Sequence, residues 1–147
     1  METFKPLSAI LDGISTQLYN TFGDKYTIYT EEVKQGLKTP CFFIKLLNPT
    51  NTKEVGVTYF RQNQYVLHFM PEDTNEPRQE IHTILDDLYL AMEHIFVVGN
   101  LVRGTGLRGE PHDNILLFYV NYNVFVRKVK DPITMGTLEL LQFTKGE

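Results

Sequence analysis

Apolar residues recur along this chain with two different periods. From Pro6 to Phe22 the positions Leu7, Ile10, Leu11, Ile14, Leu18 and Phe22 lie three or four apart, which predicts an amphipathic helix opened by Pro6 and closed by Gly23. Short β segments are expected next at residues 26–30, 41–47, 55–61 and 64–70, the last two joined by a tight connection at Gln62 and Asn63. Pro71 breaks the last of these. A second helix is expected over residues 77–94, with Ile81, Ile84, Leu85, Leu88, Met92 and Ile95 as its buried stripe. Residues 100–103 return to β character, Gly104 to Asp113 reads as a loop, and residues 138–143 form a last strand after a tail, 131–136, that holds Pro132 and Met135.

The longest alternating run covers residues 114–130. It would put Leu116, Phe118, Val120, Tyr122, Val124 and Val126 on one face, and Leu117, Tyr119, Asn121, Asn123, Phe125 and Arg127 on the other. Strands usually span about 5 to 6 residues, so this one either bends or extends past its own core, for example in a hairpin over residues 101–126. The order of elements predicts an α+β fold: an antiparallel sheet, two amphipathic helices packed on it, and an extended C-terminal β-hairpin.

A length of 147 residues, with 42% hydrophobic and 22% charged positions, fits a single globular domain over residues 1–147. No apolar run approaches the roughly 18 residues of a membrane span, and no signal-like start is visible, so a cytoplasmic protein without a membrane partner is expected. The single cysteine, Cys41, sits in the apolar run Cys-Phe-Phe-Ile and reads as a buried structural thiol. The net charge of -4 is unevenly spread. Residues 72–95 hold seven acids against Arg78 alone, whereas residues 96–130 hold five bases against Glu110 and Asp113. Opposed patches suit head-to-tail contact between identical subunits, and two solvated faces would give the same letters.

Chemistry is sparse. Gly104 to Gly109 spells G-x-G-x-x-G, but a strand, not a helix, is expected after it, so the phosphate-binding context is missing and the glycines read as a mobile loop. His82 and Asp86 stand one helical turn apart without a second ligand pair; His68, His94 and His112 are scattered over a strand, a helix end and a loop. The two serines, Ser8 and Ser15, lie in the first helix, and the carboxylate pairs Glu31–Glu32 and Asp86–Asp87 diverge as sequence neighbours. No enzyme, metal or cofactor is expected. Arg127, Lys128 and Lys130 near Tyr119, Tyr122 and Phe125 are the best case for a nucleic-acid-binding module, set against a sequence pI of about 5.6.

Three stretches resemble small tail terminator proteins from phages of Gram-positive bacteria: Lys34-Gln35-Gly36-Leu37-Lys38-Thr39-Pro40-Cys41-Phe42-Phe43-Ile44, residues 61–71 with Tyr65, Phe69 and Pro71, and residues 115–125 with a Val-Asn-Tyr core. Order and length agree over nearly the whole chain. Asp113-Asn114 departs from the Asp-Gly expected there. The resemblance implies a structural protein of a phage or of a headless phage-tail-like bacteriocin. It would form a hexameric ring that caps the tail tube, ends its growth and joins it to the neck or collar, in a contractile or non-contractile tail. It also implies the tail tube protein, sheath and neck or head-completion proteins as partners, with DNA only as passing cargo where a capsid exists, and no catalytic residues. Another head–tail connector or neck protein is the alternative. Candidate contacts with neighbouring subunits or the tube are Gln35, Gly36 and Leu37 in one turn, Arg103, Leu107 and Arg108 around the glycine run, and Phe125 and Arg127 on the long strand.

Overall fold

The computed structural model describes residues 5–30, 36–72, 77–129 and 137–142. Helix α1 spans Pro6–Phe22 as its periodicity requires, burying Ile10, Ile14 and Leu18; Gly23, at φ 68°, ends it by donating its N–H to the Tyr19 carbonyl. Strand β1 (Thr27–Tyr29) runs parallel to β2 (Cys41–Lys53), which pairs antiparallel with β3 (Thr58–Met70). The expected turn at Gln62 and Asn63 does not form. Residues 54–57 make the connection instead, and β3 continues through Asn63 as one 13-residue strand.

Helix α2 (Pro77–Ala91) buries Ile81, Ile84, Leu88 and Ala91. It stops three residues before the expected end. Ile95 is buried as expected but belongs to a strand: it stands three residues after Met92, as a helical stripe would place it, and two before Val97, as an alternating strand places it. Strands β4 (His94–Val97) and β5 (Asn100–Arg103) form a two-stranded ribbon against α1. The expected loop from Gly104 to Asp113 is also a strand, β6 (Thr105–His112), joined to β7 (Ile115–Asn121) through Asp113, at φ 46°, and Asn114. Strand β8 (Val124–Val129) follows, and β9 (Thr137–Gln142) pairs with it to make the C-terminal hairpin. The tail at residues 131–136 lies outside the described residues.

The main sheet runs β1-β2-β3-β7-β6, with β8 beside the first part of β3 and β9 beyond β8. Strands β7 and β8 are one column interrupted at Tyr122 and Asn123. Gln64 lies opposite Asn121 and Arg61 opposite Val124, so both strands advance equally across the gap and no residue is inserted. Side-chain amides supplement the ladder there: the Tyr122 N–H still donates to the Asn63 carbonyl at 2.9 Å, while the Asn63 N–H donates to Asn123 Oδ1 at 3.0 Å and Asn63 Nδ2 donates to the Tyr122 carbonyl at 3.1 Å. Because the register survives, Leu116, Phe118, Val120, Tyr122, Val124 and Val126 all stay on the core side, each at most 1% exposed. Of the two outcomes expected for the long run, extension past its own core does not occur: β7 is an interior strand of the sheet.

Both helices cover the same face. Tyr65 donates to the Leu7 carbonyl of α1, and Tyr89 of α2 packs edge-on against Phe118 at 5.6 Å. Phe22, Tyr26, Phe42 and Phe69 close one end of this layer with ring centroids 5.0 to 5.5 Å apart. Gly104 and Gly109 let the helical layer approach. A Cβ on Gly104 would meet the Met92 carbonyl, and one on Gly109 would meet the Leu85 side chain.

Candidate functional site

Among the described residues, no helix covers the opposite face of the sheet. Its side chains follow from the register: Phe43, His68, Leu117 and Glu110 form one row across β2, β3, β7 and β6, and Lys45, Val66, Tyr119 and Arg108 the next. Val66 alone is buried, while Phe43, His68, Leu117 and Tyr119 are half-buried. Further along β3 and β8, the Phe60 and Phe125 rings pack at 4.9 Å, and Arg127 is exposed opposite Thr58.

One cation of this face rests on an aromatic ring. The Arg108 guanidinium lies over the Tyr119 ring at 4.1 Å and pairs with Glu110, whose other oxygen meets His112 Nε2 at 2.9 Å. Hydrogen bonds from His112 first and Arg108 second hold the Glu110 carboxyl below its ordinary pKa. His68 packs on Phe43 at 5.6 Å; burial, then the nearby Lys45 charge, lowers its pKa and favours the neutral ring.

Asp86 and Asp87 are exposed on α2, whose inner stripe faces the core. Of the five bases of the sequence's basic patch, Arg108 and Arg127 come to the open sheet face, where Lys45 joins them and Glu110 pairs with Arg108, while Arg103 lies on the ribbon.

The structure brings Arg108, Phe125 and Arg127 onto this one face. Arg103 is exposed on the β4–β5 ribbon, away from them. Leu107 falls in the β6 bulge between Thr105 and Arg108 and packs against the core. Gly36, exposed at φ 64°, and half-buried Leu37 lie in the segment leading to β2 at the far side of the sheet; Gln35 lies outside the described residues. Phe43, Lys45 and His68 escape a reading by strand alone, because only pairing across β2, β3 and β7 gathers them. The G-x-G-x-x-G run is strand β6 and not a phosphate loop. Among the described residues no group of three or more His, Cys, Asp and Glu is placed to hold a metal ion. The Cys41 thiol is fully buried, and burial raises its pKa, as a structural role requires.

Two helices on one face of a mostly antiparallel sheet, with the other face open and patterned with cations and rings, define an α+β protein whose exposed chemistry is that of contact surfaces. The family model described as "Phage tail terminator protein" matches residues 9–134, from the first turn of α1 past the end of β8, and the chain belongs to that family. It is thereby a phage tail component, of a structural family that takes part in virion assembly. No curated protein gives a significant match. No described helix is long and apolar enough to cross a membrane.

Proposed function

We propose that this protein forms a closed ring, a hexamer, that caps the tail tube, ends its polymerisation and joins it to the neck or collar, without catalysing any reaction. The observation that carries this reading is that the two layers present different surfaces, with exposed Asp86 and Asp87 on α2 and Lys45, Arg108 and Arg127 among half-buried rings on the open sheet face. A subunit with two unlike surfaces can offer one to the neighbour on one side and the other to the neighbour on the opposite side, and such head-to-tail contacts close into a ring where the rotation closes. Family membership supports the terminal position on the tube. Arg108, Phe125 and Arg127 are assigned to the contact with a neighbour or with the tube, and Arg103 and the Gln35-Gly36-Leu37 segment to the rim. The tube protein is the principal partner, with sheath and neck or head-completion proteins beside it. Assembly takes place in the host cytoplasm, and DNA is only passing cargo where a capsid is present.

The test combines light scattering with a polymerisation assay. Purified protein should form a closed oligomer, alone or on short tubes, and should halt elongation by added tube protein. A species that stays monomeric on tubes and leaves elongation unchanged would refute the proposal.

A further inference from the structure

A second contact surface lies away from the open sheet face, between α1 and the β4–β5 ribbon. Gly13 lacks the Cβ that would strike the Phe96 carbonyl at 2.6 Å, so the ribbon backbone lies directly on the helix. A groove results, lined by Ala9, Asp12, Gly13, Thr16, Phe96 and Val98. Gln17, also in its wall, donates to the Ala91 carbonyl at 2.8 Å and so fixes the groove against the C-terminus of α2. The ribbon is amphipathic: Ile95, Val97 and Val102 are buried beneath it, while Phe96, Val98 and Leu101 are 65%, 69% and 42% exposed. Exposed apolar groups gathered on one small ribbon mark an interaction site.

The turn of the ribbon adds an independent sign. Val98 and Gly99 are its two central residues, both with positive φ, at 50° and 78°. Asparagine or glycine fits such a position, whereas a β-branched side chain is strained there. An exposed valine in a left-handed conformation does nothing for the fold of its own subunit; apolar contact with another molecule gives it a use.

The chain itself carries a matching projection. The connection from β2 to β3 is a tight turn, closed by the Thr58 N–H on the Val55 carbonyl at 3.0 Å, and it holds Val55 and Val57 80% and 46% exposed at its tip. Lys53 and Glu54 are exposed just before Val55, and Lys128, also exposed, donates its N–H to the Val57 carbonyl at 2.8 Å. The tip is therefore apolar, with two lysines and one acid on its flank. The groove offers Ala9, Phe96 and Val98 as its apolar wall beside Thr16, Gln17 and Asn20, and its one charged lining residue is Asp12. We propose that the Val55-Gly56-Val57 tip of one copy seats in the α1–ribbon groove of the next copy, with Lys53 directed to Asp12. This inference rests on the ring reading and names one of its subunit contacts.

Cysteines placed at both ends of the contact test it directly. Val55→Cys with Val98→Cys, oxidised under assembly conditions, should give a ladder of covalent multimers beyond the dimer, while either single variant stops at dimers. Assembled oligomers or capped tubes without a ladder would overturn the tip-in-groove contact and leave the ring standing; failure of the unsubstituted protein to assemble under the same conditions would overturn both. A second variant gives a readout that a merely structural role does not. Val98→Asn should leave thermal stability equal or higher, because the turn strain is relieved, yet weaken self-association at least tenfold. Unchanged self-association in that variant would overturn the inference.

Discussion

Individual atoms decide how closely the layers of this protein approach. At Gly104 an added methyl meets the backbone carbonyl of Met92, which cannot move without shifting the end of α2, whereas at Gly109 it meets the flexible end of Leu85. Gly104→Ala should therefore destabilise by about 1–3 kcal/mol, and Gly109→Ala by clearly less, as urea denaturation can measure. Tyr122 donates from the core to the same Met92 carbonyl at 2.7 Å, so Tyr122→Phe should cost about 1–3 kcal/mol by leaving that acceptor unpaired. His68 supplies a pH dependence. Burial keeps its folded pKa below the ordinary 6.5, so the unfolded chain takes up the proton first as pH falls. Its contribution to stability is present above about pH 6.5 and is lost below it. In His68→Gln the stability curve should be flatter between pH 6.5 and 5; an unchanged slope would mean that His68 is not the group responsible.

At the scale of elements, α1 and the long alternating run were legible because each has one dominant period and a clear stop. Gly23 ends the helix, and the alternation from Leu116 to Val126 continues unbroken through the interruption. The β2–β3 turn was not legible. Asn63 carries a turn signal in its letter but is 1% exposed inside β3, its amide spent on the β7–β8 junction sixty residues away, a long-range use that local propensity does not report. Glycine misled in the same manner at β6, where Gly104 and Gly109 serve close packing and not mobility. Of the proposed contact surface, Arg108, Phe125 and Arg127 were already candidates in the sequence. Phe43, Lys45 and His68 needed the register, and the ribbon with Phe96 and Val98 was hidden by the shared period at the end of α2. The junction yields a prediction of its own. Asn63→Ala should uncouple β8 from β3, so amide hydrogens of residues 58–61 and 124–127 should exchange faster while those of β7 keep their protection.

On the proposed ring reading, the whole molecule would work through surfaces of unlike character: exposed acids on α2, cations and rings on the open sheet, and the groove between α1 and the ribbon. Reversing charge at Arg108 tests the open face without touching the core, since that side chain is exposed and its partners are Tyr119 and Glu110. Arg108→Glu should keep the folded subunit and weaken association at low salt by roughly tenfold or more, measured by sedimentation, with the gap narrowing as salt screens both forms. Leu88→Asp, by contrast, places a charge at a fully buried position of α2 and should abolish folding outright.

That this protein ends the growth of a tail tube is tested by tail length, measured by electron microscopy. Particles assembled without the protein should carry tubes of broad, excessive length, and supplying the protein should restore a single length with this polypeptide as a ring at the end of the tube. Tubes of uniform normal length in its absence would contradict the claim.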